Sequence, residues 1–219
     1  EAQDFYANLI EVFSLWLKDK KKGLYIFVDP NQVLGNQIDS DYVTNLCELT
    51  NLMSPLELQE VIRNTETVYD FIIKQTQEFL TLNASAPKID YIKKEPELYQ
   101  NVETYEELAK FTEDIINKWK NEFGIPVKNM IILGNREIGD FYNSDNNHYY
   151  AGEYRIVPAG QGNVDRIAYR RITRFKGCEE LGVIICWKGD FPINDSQNAK
   201  LFYIGASRAK QFLHVLNIE

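Results

Sequence analysis

Five short stretches hold side chains of the kinds that do chemistry. In chain order they are EAQD (1–4), VDPNQ (28–32), VIRNT (61–65), RFKGCEE (174–180) and GASRAK (205–210). Taken singly, each has an ordinary explanation, such as a solvated acidic loop, a polar turn, a surface ion pair or a helix end with suitable cations. Arg208 is the sharpest case because it stands between two apolar stretches. Its charge is either solvated at a helix end or directed into a site.

The bulk composition is that of an ordinary globular chain. The sequence has 219 residues, of which 44% are apolar and 26% charged, and its length fits one large domain or two small ones. A formal charge of −8 argues against a simple basic nucleic-acid module, although it leaves room for a local binding groove. No stretch approaches the roughly 20 apolar residues of a membrane span, and no signal layout is present, so a cytoplasmic location without a membrane partner is expected.

Cysteine and histidine do not indicate a metal site. Cys47, Cys178 and Cys186 lack CxxC spacing, and we expect them to be buried, inert thiols. The two histidines are too few and too far apart in sequence for a metal cluster.

Hydrophobic periodicity divides the first part of the chain into helices and strands. Apolar side chains at helical spacing, closed by cations and a glycine, predict a helix over 5–18. The apolar run 24–32 ends in an Asp-Pro turn, which is typical of a buried strand followed by a loop. Alternation from residue 54 predicts a strand to about Arg63, followed by a helix N-capped by Asn64 or Thr65.

The second part restarts the same alternation. A capping box of Thr104 and Glu107 and a stop at Gly124 predict a long helix between them. After it we expect, in order, a strand at about 128–133, a polar, glycine-containing excursion over 142–163, strands in DRIAYRRI and ELGVIICWKGD, a helix near 196–209 and a final strand in FLHVLNI. Helices that alternate with fully apolar strands predict an α/β protein with a parallel sheet.

The order of the five stretches resembles the back half of a superfamily-one helicase of the UvrD/Rep type. Phe-Lys-Gly-x-Glu before an apolar strand, and Tyr-x-x-x-Ser-Arg-Ala before the last strand, are the most specific part. The resemblance implies a RecA-like, P-loop NTPase-like parallel sheet with flanking helices. It implies the rear part of a first motor domain over 1–81, a linker or loop over 82–103 and a second motor domain over 104–219. The chain would then begin inside the Walker B motif.

The resemblance also implies catalytic roles in ATP hydrolysis. Glu1 matches the carboxylate that polarises the attacking water, and Gln32 matches the glutamine that senses the γ-phosphate. Arg63 resembles the arginine that reaches the γ-phosphate, and Arg208 resembles the arginine finger. Arginine suits both positions because phosphoryl transfer spreads negative charge over oxygens that a planar, permanently charged group can bind in pairs.

Further positions are carried over as binding residues. Those implied to bind nucleotide are Gln3, Gly177 and Glu179, and those implied to contact nucleic acid are Thr173, Arg174 and Lys176. The implied cofactors of the full-length protein are ATP and Mg²⁺. The implied partners are single-stranded or duplex DNA, with RNA left open, and the upstream first motor domain.

Departures from the family pattern keep alternatives open. The phosphate loop GxxxxGK[ST] is absent from the 219 residues, so the isolated chain has no physical basis for tight ATP binding. The aromatic residue that usually follows the motif-three glutamine is missing, and Cys178 stands where leucine is usual. The alternatives are a RecA-like module that binds a partner without hydrolysis and an α/β domain with chance motif matches.

Two structural expectations follow from the resemblance and from the general behaviour of open α/β sheets. Gln32, Arg63, Glu179 and Arg208 should lie at carboxyl ends of parallel strands or in the loops after them. Replacement of Arg208 by alanine should leave folding intact, on the assumption that the side chain serves only the site.

Overall fold

A seven-stranded sheet forms the centre of the protein. The computed structural model describes residues 5, 7–18, 25–34, 42–50, 55–59, 63–82, 84–85, 99–142 and 148–219. The strands are β1 (Tyr99–Val102), β2 (Met130–Gly134), β3 (Tyr149–Ala151), β4 (Tyr154–Pro158), β5 (Arg166–Arg171), β6 (Glu180–Lys188) and β7 (Ala209–Ile218). Their spatial order is β1-β7-β6-β2-β5-β4-β3. Neighbouring strands are parallel except for β3, which pairs antiparallel with β4.

Helices cover both faces of this sheet. The helices are α1 (Ala7–Lys18), α2 (Tyr42–Thr50), α3 (Glu66–Thr76), α4 (Tyr105–Phe123) and α5 (Ser196–Ala206). Helix α4 packs Leu108, Ile116 and Trp119 onto one face, whereas α3 and α5 pack Ile72 and Phe202 onto the other. The expected α/β architecture with a mostly parallel sheet is therefore confirmed. No helix among the described residues is long and apolar enough to cross a membrane.

Local sequence signals account for the best-predicted elements. The Thr104 hydroxyl accepts a hydrogen bond from the Glu107 amide, and the Glu107 carboxylate accepts one from the Glu103 amide, which satisfies two amides at the start of α4. Gly124 ends the helix with a left-handed φ of 69°, a conformation that glycine adopts without strain. Strands β6 and β7 are almost wholly buried, as their continuous apolar runs predict.

Three expectations about secondary structure are wrong. Residues 25–29 form no strand with any described residue, although Ile26 and Val28 pack inward while Tyr25 and Phe27 are exposed. Residues 55–59 are likewise exposed and outside any strand. The end of the expected linker over 82–103 instead forms β1, which pairs with the carboxyl end of β7.

The part of the expected polar excursion over 142–163 that the structure describes is also more ordered than predicted. It contains the β3–β4 hairpin, in which Ala151 and Tyr154 turn inward against α4. Gly152 occupies the turn at φ 57°, where a Cβ would collide with the Glu113 carboxylate. Tyrosine-rich strands with alternate polar residues carry a weaker signal than β6 and β7, which explains the miss.

Candidate functional site

Arg208 is a buried arginine that lies between α5 and β7. Its side chain is 1% exposed. Its Nε donates to the Ile204 carbonyl at 2.9 Å and its Nη1 to the Cys178 carbonyl at 3.4 Å. Its Nη2 donates to Gln32 Oε1 at 2.7 Å, across 176 residues of sequence. The guanidinium is therefore no solvated helix-end charge, and its surroundings are built to hold it.

Gln32 reaches Arg208 from a short 3-10 turn over Pro30–Gln32. Asp29 caps this turn through the Asn31 amide at 3.0 Å, and its second oxygen accepts from Gln32 Nε2 at 2.7 Å. The Tyr203 hydroxyl on α5 donates to the same oxygen at 3.1 Å. Burial raises the pKa of Tyr203 well above its ordinary value, so this hydroxyl remains a donor. Asp29 thus orients the Gln32 amide so that its oxygen faces the arginine.

A second part of the site consists of two cations that share one carboxylate. Arg63 Nε lies 2.9 Å from Glu179 Oε2, and Lys210 Nζ contacts the other oxygen of Glu179. The side chains of Arg63 and Lys210 are both 41% exposed and that of Glu179 is 37% exposed. The hydrogen bond from Lys210, assisted by the charges of Lys210, Arg63 and Arg208, lowers the pKa of Glu179 below its ordinary value.

Asn64 holds the Arg63 segment against the end of α5. Its side-chain amide donates to the carbonyls of Ser207 and Ala209 at 3.2 and 2.5 Å. The Thr65 amide donates to the Lys210 carbonyl at 3.1 Å. The Asn64 side chain thereby binds the backbone on both sides of Arg208, and this holds Arg63 near it.

The complete cluster combines cations with neighbouring carboxylates. Arg63 and Lys210 share Glu179, Arg208 bonds to the Gln32 amide that Asp29 orients, and the Lys210 charge also acts on Glu180. Guanidinium and ammonium groups so placed can bind the oxygens of a phosphate. Glu179 and the Gln32 oxygen now occupy donors that phosphate oxygens could use.

The cluster lies at the amino edge of the sheet, which contradicts the expectation of carboxyl ends. Glu179 immediately precedes β6 and Arg208 immediately precedes β7. Both belong to the connections that return the chain across the α3 and α5 face. Gln32 follows no strand of the described residues, and the residues immediately before Arg63 lie outside them.

The carboxyl edge of the sheet has a topological switch point between β2 and β6, where Asn135 bridges the two strand ends. After β2 and β6 the chain departs toward opposite ends of the sheet, which is where open α/β sheets commonly bind ligands. There the Asn135 side chain donates to the Lys188 carbonyl at 2.9 Å and accepts from the Lys188 amide at 3.0 Å. This pair of hydrogen bonds bridges the two strand ends.

The remaining predicted residues lie either in the segment before β6 or outside the described residues. Thr173 and Arg174 are exposed in a 3-10 turn over Ile172–Arg174 and make no described hydrogen bond or ion pair with the Arg208 cluster. Lys176 is half-buried, and Gly177 is exposed with a positive φ of 77°. Glu1 and Gln3 lie outside the described residues.

The thiols differ from the expectation in part. Cys186 is buried, and burial raises its pKa to about 12, so it is inert as predicted. Cys178 is exposed because it lies in the turn before β6, and Cys47 is half-buried. Among the described residues no cluster of histidine, cysteine or acidic side chains could hold a metal ion.

Sequence reasoning missed Asp29, Asn64, Tyr203 and Lys210. Asp29 and Lys210 stand in the quoted stretches VDPNQ and GASRAK, and an N-capping signal at Asp29 was available. The contacts that join these residues span up to 174 positions, as in the Tyr203–Asp29 hydrogen bond, and no local pattern announces them.

The fold defines an α/β protein whose mostly parallel sheet is flanked by helices. No protein-family model matches the sequence, and no curated protein matches it either. The structure is similar to the crystal structure of the C-terminal domain of a possible DNA helicase from Lactobacillus plantarum WCFS1. The TM-score is 0.46 and the identity 15%, over 71% of this chain and 86% of that chain. A likeness of this size assigns no role to any residue.

Proposed function

We propose that this chain is the C-terminal part of an ATP-dependent DNA helicase or translocase. In this role it supplies the γ-phosphate sensor Gln32 and the arginine finger Arg208 to ATP hydrolysis that drives movement on single-stranded nucleic acid. The observation that supports this most is the meeting of the motif-matched residues. Arg208 bonds to Gln32 and Arg63 bonds to Glu179, although the partners are 176 and 116 positions apart, the latter from 179 − 63.

The arrangement suits stabilisation of a transferring phosphoryl group. Arg63 is partly exposed, so an incoming γ-phosphate can compete with Glu179 for its guanidinium. Arg208 is held by backbone carbonyls at Nε and Nη1, which fixes its plane, while Nη2 donates to the exchangeable side-chain amide of Gln32. Binding of nucleotide is therefore expected to replace the Gln32 contact, and this exchange couples Gln32 to the state of the nucleotide.

The described residues supply only part of such a site. The chain has no phosphate loop, and its described part holds no group of three or more acidic, histidine or cysteine side chains that could bind Mg²⁺. In the complete protein the first motor domain would contribute both, with Glu1 and Gln3 at its rear. This chain would contribute cations and a sensor, and ATP with Mg²⁺ would lie between the domains. Closure and reopening around the nucleotide would then step the motor along a strand.

The exposed turn over Ile172–Arg174 and the neighbouring Lys176 are proposed as contacts to nucleic acid. Thr173 and Arg174 are exposed to solvent, as a contact with the sugar-phosphate backbone of a nucleic acid requires. DNA is the proposed partner, and RNA is the alternative that the same contacts allow, because phosphate contacts carry no sequence information.

A specific observation also favours the non-hydrolysing alternative. Arg208 is 1% exposed and hydrogen-bonded to groups of its own chain, as a purely structural arginine would be. The two functions differ in what precedes Glu1 in the complete protein. A helicase requires a phosphate loop there and hydrolyses ATP faster when single-stranded DNA is added. Phosphate-release assays on the complete protein, with and without a single-stranded oligonucleotide, test this, and absence of stimulated hydrolysis would leave the binding module.

A further inference from the structure

We propose that Tyr150, Arg155 and Arg166 form a binding site for single-stranded nucleic acid, separate from the Arg208 cluster. These three residues are called the β3–β5 row. Tyr150 pairs with Arg155 across β3 and β4, and Arg155 pairs with Arg166 across β4 and β5. Directly paired residues project from the same face, with strands about 4.8 Å apart.

The row lies on the sheet face away from α4. The residues that alternate with the row, among them Tyr154 and Ile167, belong to the core under α4. Their neighbours Arg155 and Arg166 therefore project to the opposite face, as does Ala168, which packs in the other core. Tyr150 is 46% exposed, and both arginines are partly exposed, so the row is accessible to a ligand.

The two arginines are not paired with an acidic side chain among the residues that the structure describes. Like charges directly opposite each other on adjacent strands are destabilising. The chain has 32 acidic residues against 24 basic ones, yet neither arginine forms an ion pair with any described carboxylate. The Arg155 guanidinium contacts the His148 ring, with Nη2 2.8 Å from Nδ1. Two adjacent guanidinium groups without a carboxylate are suited to bind phosphate oxygens.

The aromatic side chain at the end of the row indicates which phosphate is bound. The Tyr150 ring is exposed beside Arg155, and the His148 ring meets it edge-on with centroids 6.5 Å apart. A nucleobase can stack on an exposed tyrosine while the attached phosphates lie on the arginines. Bases are free to stack on protein only in a single strand, whereas a duplex keeps them paired. The row therefore fits a single strand better than a duplex or a free phosphate.

The inference goes beyond the proposed function because it concerns a second site and requires no nucleotide. Binding of a fluorescent oligothymidine of about 15 nucleotides to the full chain, followed by anisotropy without ATP, tests it. Arg155→Ala/Arg166→Ala is expected to weaken binding and to reduce the magnitude of the slope of log K against log salt by about 1.4, which is about 0.7 for each lost phosphate contact. Its thermal midpoint should not fall, since a like-charge pair has been removed.

Tyr150→Leu gives a different signature. Loss of one stacked base is expected to weaken binding about tenfold while the salt slope is unchanged, because no charge has been removed. The matched control is Lys110→Ala/Lys118→Ala, which removes the same charge from exposed positions of α4 on the other face. This control should bind as the wild type does.

Four results would overturn the proposal. They are absence of oligothymidine binding by the wild type, an unchanged affinity and slope in the arginine variant, an equal loss in the lysine control, and binding of a duplex as tight as that of the single strand. A parallel titration with inorganic pyrophosphate distinguishes the two sources of phosphate. If pyrophosphate binding depends on the arginines but oligothymidine binding does not, the row binds free phosphate and the nucleic-acid assignment is wrong.

Discussion

The contact between Gln32 and Arg208 predicts a large and specific effect on stability. Arg208→Ala removes a buried guanidinium and its contact to Gln32 Oε1 at 2.7 Å. The Ile204 carbonyl keeps a hydrogen bond from the Ser207 hydroxyl at 3.2 Å, and the Cys178 contact is long, so the Gln32 bond is the strongest of the described hydrogen bonds that are lost. A hydrogen bond to a charged group contributes about 1.5–3 kcal/mol, and the cavity adds to it.

We therefore expect Arg208→Ala to lower the free energy of unfolding by about 2–4 kcal/mol. This result differs from the expectation based on sequence, in which the substitution leaves folding intact. Burial at 1% exposure is the reason, because a side chain that serves only a site would not be packed within the protein on all sides. Urea denaturation followed by circular dichroism measures the difference.

A double-mutant cycle isolates the contact itself. Arg208→Ala, Gln32→Ala and the double variant should give a coupling energy of about 1–3 kcal/mol, as directly bonded residues do. The control cycle pairs Gln32→Ala with Arg171→Ala, because Arg171 bonds to Glu137 at the other edge of the sheet. That cycle should be additive. Additivity in the Gln32–Arg208 cycle, within about 0.5 kcal/mol, would show that the two segments do not meet in solution.

Two further predictions concern pH and the isolated chain. Burial, assisted by the Lys118 charge, lowers the pKa of His214 from 6.5 to about 4. Between these pH values the unfolded chain binds a proton at His214 and the folded chain does not. The contribution of neutral His214 to the free energy of unfolding is therefore fully present above pH 6.5, and it falls by up to about 3 kcal/mol as the pH drops toward 4. Urea denaturation across this range should show that His214→Phe loses this part of the pH dependence, and an equal dependence in both proteins would contradict the assignment. The isolated 219-residue chain should release no phosphate from ATP above a Glu1→Gln control, because it lacks the phosphate loop, and nucleic-acid-stimulated release would contradict this.

Local signals were sufficient for the elements that build the core. The capping box and glycine stop of α4, and the continuous apolar runs of β6 and β7, predicted these elements because each depends on neighbouring residues. The run 24–32 misled, since an apolar aromatic stretch becomes a strand only when a partner strand is available. The edge strand β1 was missed because its YQNV sequence has no apolar run, and pairing with β7 supplies its stability.

For the site, the structure brings two pairs of the sequence-predicted residues into contact, Gln32 with Arg208 and Arg63 with Glu179. Their position at the amino edge could not be predicted, because it depends on how the connections to β6 and β7 cross the sheet. The supporting contacts of Asp29 and Lys210 are likewise products of tertiary packing. The catalytic roles themselves stay predictions.

ATP turnover of the complete protein with saturating single-stranded DNA tests the central claim most directly. Two variants keep the positive charge and remove only the planar guanidinium: Arg208→Lys at the buried position and Arg63→Lys at the exposed one. Arg63→Lys is expected to fold as the wild type does, because the Arg63 side chain is 41% exposed and its ion pair contributes less than about 1 kcal/mol. Thermal midpoints confirm that each variant is folded at the assay temperature.

If Arg208 is the arginine finger, Arg208→Lys should reduce kcat by about 10³-fold or more, because an ammonium group cannot reproduce the two-pronged contact with the phosphate. Arg63→Lys should also reduce kcat, since its guanidinium reaches the same phosphate. Wild-type turnover in a folded Arg208→Lys protein would contradict the finger assignment and leave Arg208 as a structural residue.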